Sequence, residues 1–99
     1  MAYMQTKAAE VAGIFEGKTI FHVKIETPND RESIDEITLE RRQGIACRVE
    51  ESRIIFTAGE TTAAFEVLET AQILTNRTEE AEIVVTLATN GGLQIKSRP

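Results

Sequence analysis

The chain has 99 residues, 41% of them apolar and 27% charged, the size and balance of one globular domain with one core and not of a disordered chain. Sixteen acidic against eleven basic residues give a formal charge of −5, which disfavours non-specific binding to nucleic-acid backbones and to anionic membrane surfaces. The single Cys47 excludes an intramolecular disulfide, and no apolar run approaches the length of a membrane span.

One domain over 1–99 is expected, with residues 1–7 frayed. The first residues lack the basic, apolar, then small-residue order of a secretory signal, so a reducing cytoplasm is the expected setting. The first patterned segment is ambiguous. Ala8, Val11, Ala12 and Phe15 fit a helix ending at Gly17, whereas Val11, Gly13 and Phe15 fit a strand that hairpins back to set Val11 on Val23. Gly13 and the off-stripe Ile14 count against the helix. From Thr19 the alternation is clear: Phe21, Val23 and Ile25 form an apolar face, with His22, Lys24 and Glu26 on the other, until Pro28 and Asn29-Asp30 end the strand.

Between Glu36 and Ala58 period-two patterning predicts a meander. Matching apolar to apolar sets Leu39 across from Cys47 and Ile37 across from Val49, with Arg42-Gln43-Gly44 as the loop. A second hairpin through Glu51-Ser52 pairs Val49 with Ile54, Cys47 with Phe56 and Glu50 with Arg53, although this turn lacks the usual glycine or asparagine. Residues Glu60 to Thr75 change period: Ala64, Val67, Leu68, Ala71 and Leu74 recur at three and four, which predicts one amphipathic helix over about 61–75, closed by Asn76. Glu79, Glu80 and Glu82 then follow as a solvated acidic patch. Ile83, Val85 and Leu87 alternate up to Asn90-Gly91-Gly92, and a three-residue loop pairs Leu87 with Ile95 and Thr86 with Lys96. The predicted fold is therefore α+β: a single antiparallel sheet of five to seven strands, a meander plus a C-terminal hairpin, packed on one long helix. Ile55 and Val84 stand opposite the apolar faces of their strands. One helix of about 22 Å shelters only one face of the sheet, so the other must curl into a partial barrel, take the N-terminal segment or meet another subunit.

No catalytic or metal-binding set emerges. His22 is the only histidine, and no pair of residues stands at zinc-ligand spacing, so neither metal nor cofactor is expected. Cys47 falls on the inward face, where a thiol is a small hydrophobe with poor nucleophilicity. The carboxylates from Asp30 to Glu40 lie in a charged stretch, away from the apolar burial that tunes a general acid. Arg41 and Arg42 at one tip and Lys96 and Arg98 on the last strand form two small basic clusters, able to touch phosphate only if the fold joins them. Phe15, Phe21, Phe56 and Phe65 are better used as core than for base stacking, so nucleic acid is not an expected partner.

The outer face of the central hairpin supplies the candidate interaction surface. Its register sets Glu36 against Glu50, Thr38 against Arg48 and Glu40 against Ala46, with Ile55 and Thr57 as an apolar centre inside a charged rim. His22 and Lys24 are weaker candidates on the neighbouring strand. The reading is a small non-enzymatic interaction module of the adaptor, inhibitor or immunity-protein kind, with another protein or a second copy of itself as partner. The alternative is a small-molecule or nucleotide binder using a concave sheet face.

Overall fold

A computed structural model of the protein describes residues 7–28, 33–79, 81–88 and 91–99. One helix, α1 (Lys7–Ile14), precedes eight strands: β1 (Thr19–Pro28), β2 (Ile34–Glu40), β3 (Ala46–Glu50), β4 (Arg53–Ala58), β5 (Thr61–Glu66), β6 (Gln72–Arg77), β7 (Glu82–Ala88) and β8 (Gly91–Arg98). They form two antiparallel sheets, one of five strands in the order β2-β1-β8-β7-β6 and one of three in the order β3-β4-β5. No described helix is long and apolar enough to cross a membrane.

The N-terminal ambiguity resolves to the helix. Ala8, Val11 and Phe15 are buried, so the stripe at three and four is the one the fold uses, and α1 packs on β3 and β4. Gly17 at φ +78° lets the chain leave the helix, with the Lys18 N–H donating to the Phe15 carbonyl at 3.0 Å. The alternative hairpin of this segment with β1 does not form.

The predicted meander breaks at its first turn. Leu39 pairs with Val23 and Ile37 with Ile25, so β2 is an edge strand beside β1 and does not reach β3. Residues 41–45 carry the chain from one sheet to the other, held by the Arg41 N–H on the Phe21 carbonyl (3.0 Å) and the Ile45 N–H on the Ile20 carbonyl (2.7 Å). Apolar matching could not separate the two arrangements, because Leu39 finds an apolar neighbour in either. The second hairpin is as predicted: Glu50–Arg53, Val49–Ile54 and Cys47–Phe56 are paired. Its turn lacks glycine because Glu51 itself takes positive φ, +55°.

The long helix over 61–75 is overturned. Thr61–Glu66 is β5 and Gln72–Arg77 is β6, in different sheets. Ala63, Phe65 and Val67 also alternate at two, and all three are buried. As a strand, this stretch pairs Phe65 with Ile54 and Ala63 with Phe56, a contact that a helix would forgo, and the β-branched Thr61 and Thr62 favour the extended form. The single sheet and the partial barrel are corrected with it: two sheets and the short helix share one core, which takes Val23, Ile25, Val84, Leu93 and Ile95 from the large sheet and Ile54, Phe56 and Phe65 from the small one.

The C-terminal hairpin keeps its two strands but changes register. Ala88 pairs with Gly91, Thr86 with Leu93 and Val84 with Ile95, in place of Leu87 with Ile95 and Thr86 with Lys96. This shift exchanges the faces of β7. Val84 and Thr86 now point into the core, fully buried, while Ile83 and Val85 lie on the outer face. Val84 thus needs no foreign cover, and Ile55 on the small sheet is only 6% exposed, so neither residue is the uncovered apolar surface expected from the sequence. Glu82 also departs from the predicted solvated patch: it is mostly covered and ion-pairs with Lys18 and with Arg77 (3.1 Å). Glu80 lies outside the described residues.

Candidate functional site

The five-stranded sheet has its core on one face. On the other, the registers align side chains in rows across all five strands. One row runs Leu74, Val85, Gln94, Lys24, Thr38; the next runs Asn76, Ile83, Lys96, His22, Glu40. None of these residues is buried, in contrast to the inner row Val84, Ile95 and Val23, each fully buried.

This outer face has two halves of different chemistry. On β6 and β7, Leu74 is half exposed beside Ile83 and Val85. On β1 and β2 the face is charged: Lys24 Nζ lies 3.2 Å from Glu26 and 3.8 Å from Glu36, and His22 Nδ1 donates to Glu40 Oε1 at 2.9 Å. The hydrogen bond that Lys24 donates to Glu26, with the charges of Glu36 and Glu26 behind it, raises the pKa of Lys24. The ammonium therefore stays charged beside two carboxylates.

The six residues predicted as one strip are divided between the sheets. Glu36, Thr38 and Glu40 are on the outer face of β2, paired with Glu26, Lys24 and His22 and not with β3, so the two weaker candidates, His22 and Lys24, join them there. Arg48, Ile55 and Thr57 belong to the three-stranded sheet, where Arg48 pairs with Ile55. Ile55 is covered there and offers little apolar surface to a partner.

Leu74, Ile83 and Val85 were not in the predicted strip. Their signal in the sequence is that β7 carries apolar residues on both faces, so that either register leaves one apolar row outside. Cys47 sits half-buried against the core, and burial pushes its thiol up to about 11. The thiol is therefore neutral near pH 7, as the inward position on its strand implies. The two basic clusters, Arg41-Arg42 and Lys96 with Arg98, do meet, at the end of β1 and β8. Comparison with known protein families, with curated proteins and with solved structures yields no match.

Proposed function

We propose that the chain is a small non-enzymatic interaction module working through its five-stranded sheet, and that a second copy of the chain pairs with the β6 edge, beside the apolar half of the outer face. The observation that carries this is the difference between the two edges of the sheet. Edge β2 presents Asp35, Glu36 and Glu40, whose like charges would oppose one another if the strand paired with its own copy. Edge β6 is uncharged from Gln72 to Asn76, and its only charge is Arg77 at the end. An exposed edge without charged guards is a template for strand addition.

Directly opposed residues of an antiparallel pair share a face, so a two-fold axis through Leu74 sets Leu74 on Leu74 of its partner and Gln72 on Asn76. The outer faces of the two copies then join, and Leu74 and Val85 of both form one apolar band flanked by the charged halves. The two Leu74 side chains meet at the centre of the seam, beside the main-chain hydrogen bonds of the new strand pair. The test is light scattering coupled to size exclusion at tens of micromolar. The expected mass is about twice the 11.0 kDa of the chain, and Leu74→Lys should return it to one chain while leaving the circular dichroism unchanged. A wild-type chain that stays monomeric under these conditions refutes the self-association.

A further inference from the structure

We infer that the hollow where β1, β8 and the 41–45 crossover meet is a binding site for a small ligand carrying a diphosphate group. The hollow is an open surface depression of about 520 Å³ that gathers Arg41, Arg42, Lys96 and Arg98, four of the eleven basic residues of a chain that is acidic overall. Phe21, His22 and Glu40 complete its wall.

Four of the six other described cations, all but Arg48 and Arg53, are treated differently. Lys7 pairs with Glu10, Lys18 and Arg77 with Glu82, and Lys24 with Glu26 and Glu36. Among the described residues no carboxylate is within ion-pair distance of any of the four cations of the hollow. Among the described acidic residues only Glu40 reaches this hollow, and it is engaged by His22.

The cluster is also held in place. A β-bulge between Ile20 and His22 interrupts the alternation of β1, so Ile20, Val23 and Ile25 are buried and Phe21 is not. This corrects the assignment of Phe21 to the core. The freed ring supports Arg98, whose guanidinium carbon lies 5.8 Å from the ring centre, and Arg98 Nη2 donates to the Arg42 carbonyl. The Phe21 carbonyl receives the Arg41 N–H at 3.0 Å. One bulged residue thus fixes both the arginine of β8 and the loop that carries the other two. A guanidinium held before the ligand arrives loses less freedom on binding.

Charge selects the ligand class. Four cations against Glu40 leave a formal excess of three positive charges, more than a single phosphate neutralises and close to what a diphosphate carries. Arginine forks match phosphoryl oxygens in pairs. Lys96 stands on the outer face beside His22, at the sheet side of the same hollow.

The experiment is calorimetric titration of the full chain with sodium pyrophosphate at physiological ionic strength, with inorganic phosphate and a single-stranded oligothymidylate in parallel. Saturable binding of one pyrophosphate per chain is expected, at least about tenfold tighter than phosphate. Arg41→Gln and Lys96→Gln should each weaken it about tenfold, the loss of one charge-assisted contact, while Lys24→Gln, which alters a cation outside the hollow, should leave it unchanged. Arg41 is exposed, so Arg41→Gln tests the site even if Lys96→Gln perturbs the sheet. No saturable pyrophosphate binding, an equal loss in Lys24→Gln, or tighter binding of the oligonucleotide than of pyrophosphate would each overturn the inference.

Discussion

Thr86 is fully buried, and its Oγ1 has no hydrogen-bond partner among the described residues. Its neighbours across the sheet are Leu93 on β8 and Ile73 on β6, so the hydroxyl is enclosed by hydrocarbon. Thr86→Val replaces that hydroxyl with a methyl group in nearly the same volume, so no cavity opens and no neighbour is displaced. An unpaired hydroxyl in such a setting costs about 1–3 kcal/mol. Allowing for imperfect fit of the methyl, the variant should be more stable by about 1–2 kcal/mol. For a chain near 100 residues that raises Tm by roughly 5–10 °C. The assay is urea unfolding followed by circular dichroism, at one fixed protein concentration so that self-association contributes equally to both proteins. The midpoint should rise with the slope unchanged. Thr86→Ala removes the hydroxyl and also leaves a void, so it should fall below Thr86→Val by about 1 kcal/mol. If Thr86→Val is instead less stable than wild type by about 1 kcal/mol or more, the hydroxyl is satisfied and the reasoning fails.

Gly91 has φ +133°, and a Cβ there would drive into the Glu26 carbonyl oxygen and come within 3.2 Å of Thr27 Cα. Gly91→Ala should therefore lower stability by about 3 kcal/mol or more by urea unfolding, through strained backbone and separation of β1 from β8; a change under about 0.5 kcal/mol would contradict the register. Cys47 keeps its proton up to about pH 11 when folded, whereas the unfolded thiol ionises near its ordinary value of 9.0. The unfolded state then holds fewer protons between pH 9 and 11, so stability falls as pH rises through that window and is unaffected below it. Wild type compared with Cys47→Ala in urea should diverge in slope only there, and parallel curves would deny the shift. Leu74→Cys should form a disulfide-linked dimer on mild oxidation, seen on a non-reducing gel, because opposed residues of an antiparallel pair lie at bridging distance. Wild type, whose only thiol is Cys47, should not cross-link, and failure of Leu74→Cys to do so would count against the two-fold through Leu74.

What was legible in the sequence was local. The β3–β4 hairpin could be read residue by residue because Val49, Cys47, Ile54 and Phe56 leave one register that keeps apolar on apolar. The α1 stripe was legible too, although Gly13 obscured it. Where two partners satisfied the same pattern, the sequence could not choose. Leu39 matches Cys47 as well as it matches Val23, and only the competition between whole sheets decides for β1. Residues 60–75 carried two periods at once: Ala63, Phe65 and Val67 at period two are all buried, whereas of Ala64, Val67, Leu68 and Ala71 at three and four only Val67 and Ala71 are. The candidate face suffered from the same ambiguity. Glu36, Thr38 and Glu40 were rightly placed side by side, but Arg48, Ile55 and Thr57 followed them only if the meander stayed in one plane.

The crossover that breaks the meander also builds the cationic hollow. Had Arg42-Gln43-Gly44 closed a flat hairpin, Arg41 and Arg42 would project from a sheet edge, far from β8. Because residues 41–45 instead turn back over the bulge in β1, their arginines meet Lys96 and Arg98, which are more than fifty residues away in sequence. The same sheet order keeps this hollow apart from the proposed self-association edge. From β6 to β1 is three strand spacings, about 14 Å, so a second copy seated along β6 leaves the hollow on β1 and β8 open. Self-association and diphosphate binding therefore need not compete, and each can be removed by its own substitution: Leu74→Lys for the first, Arg41→Gln for the second.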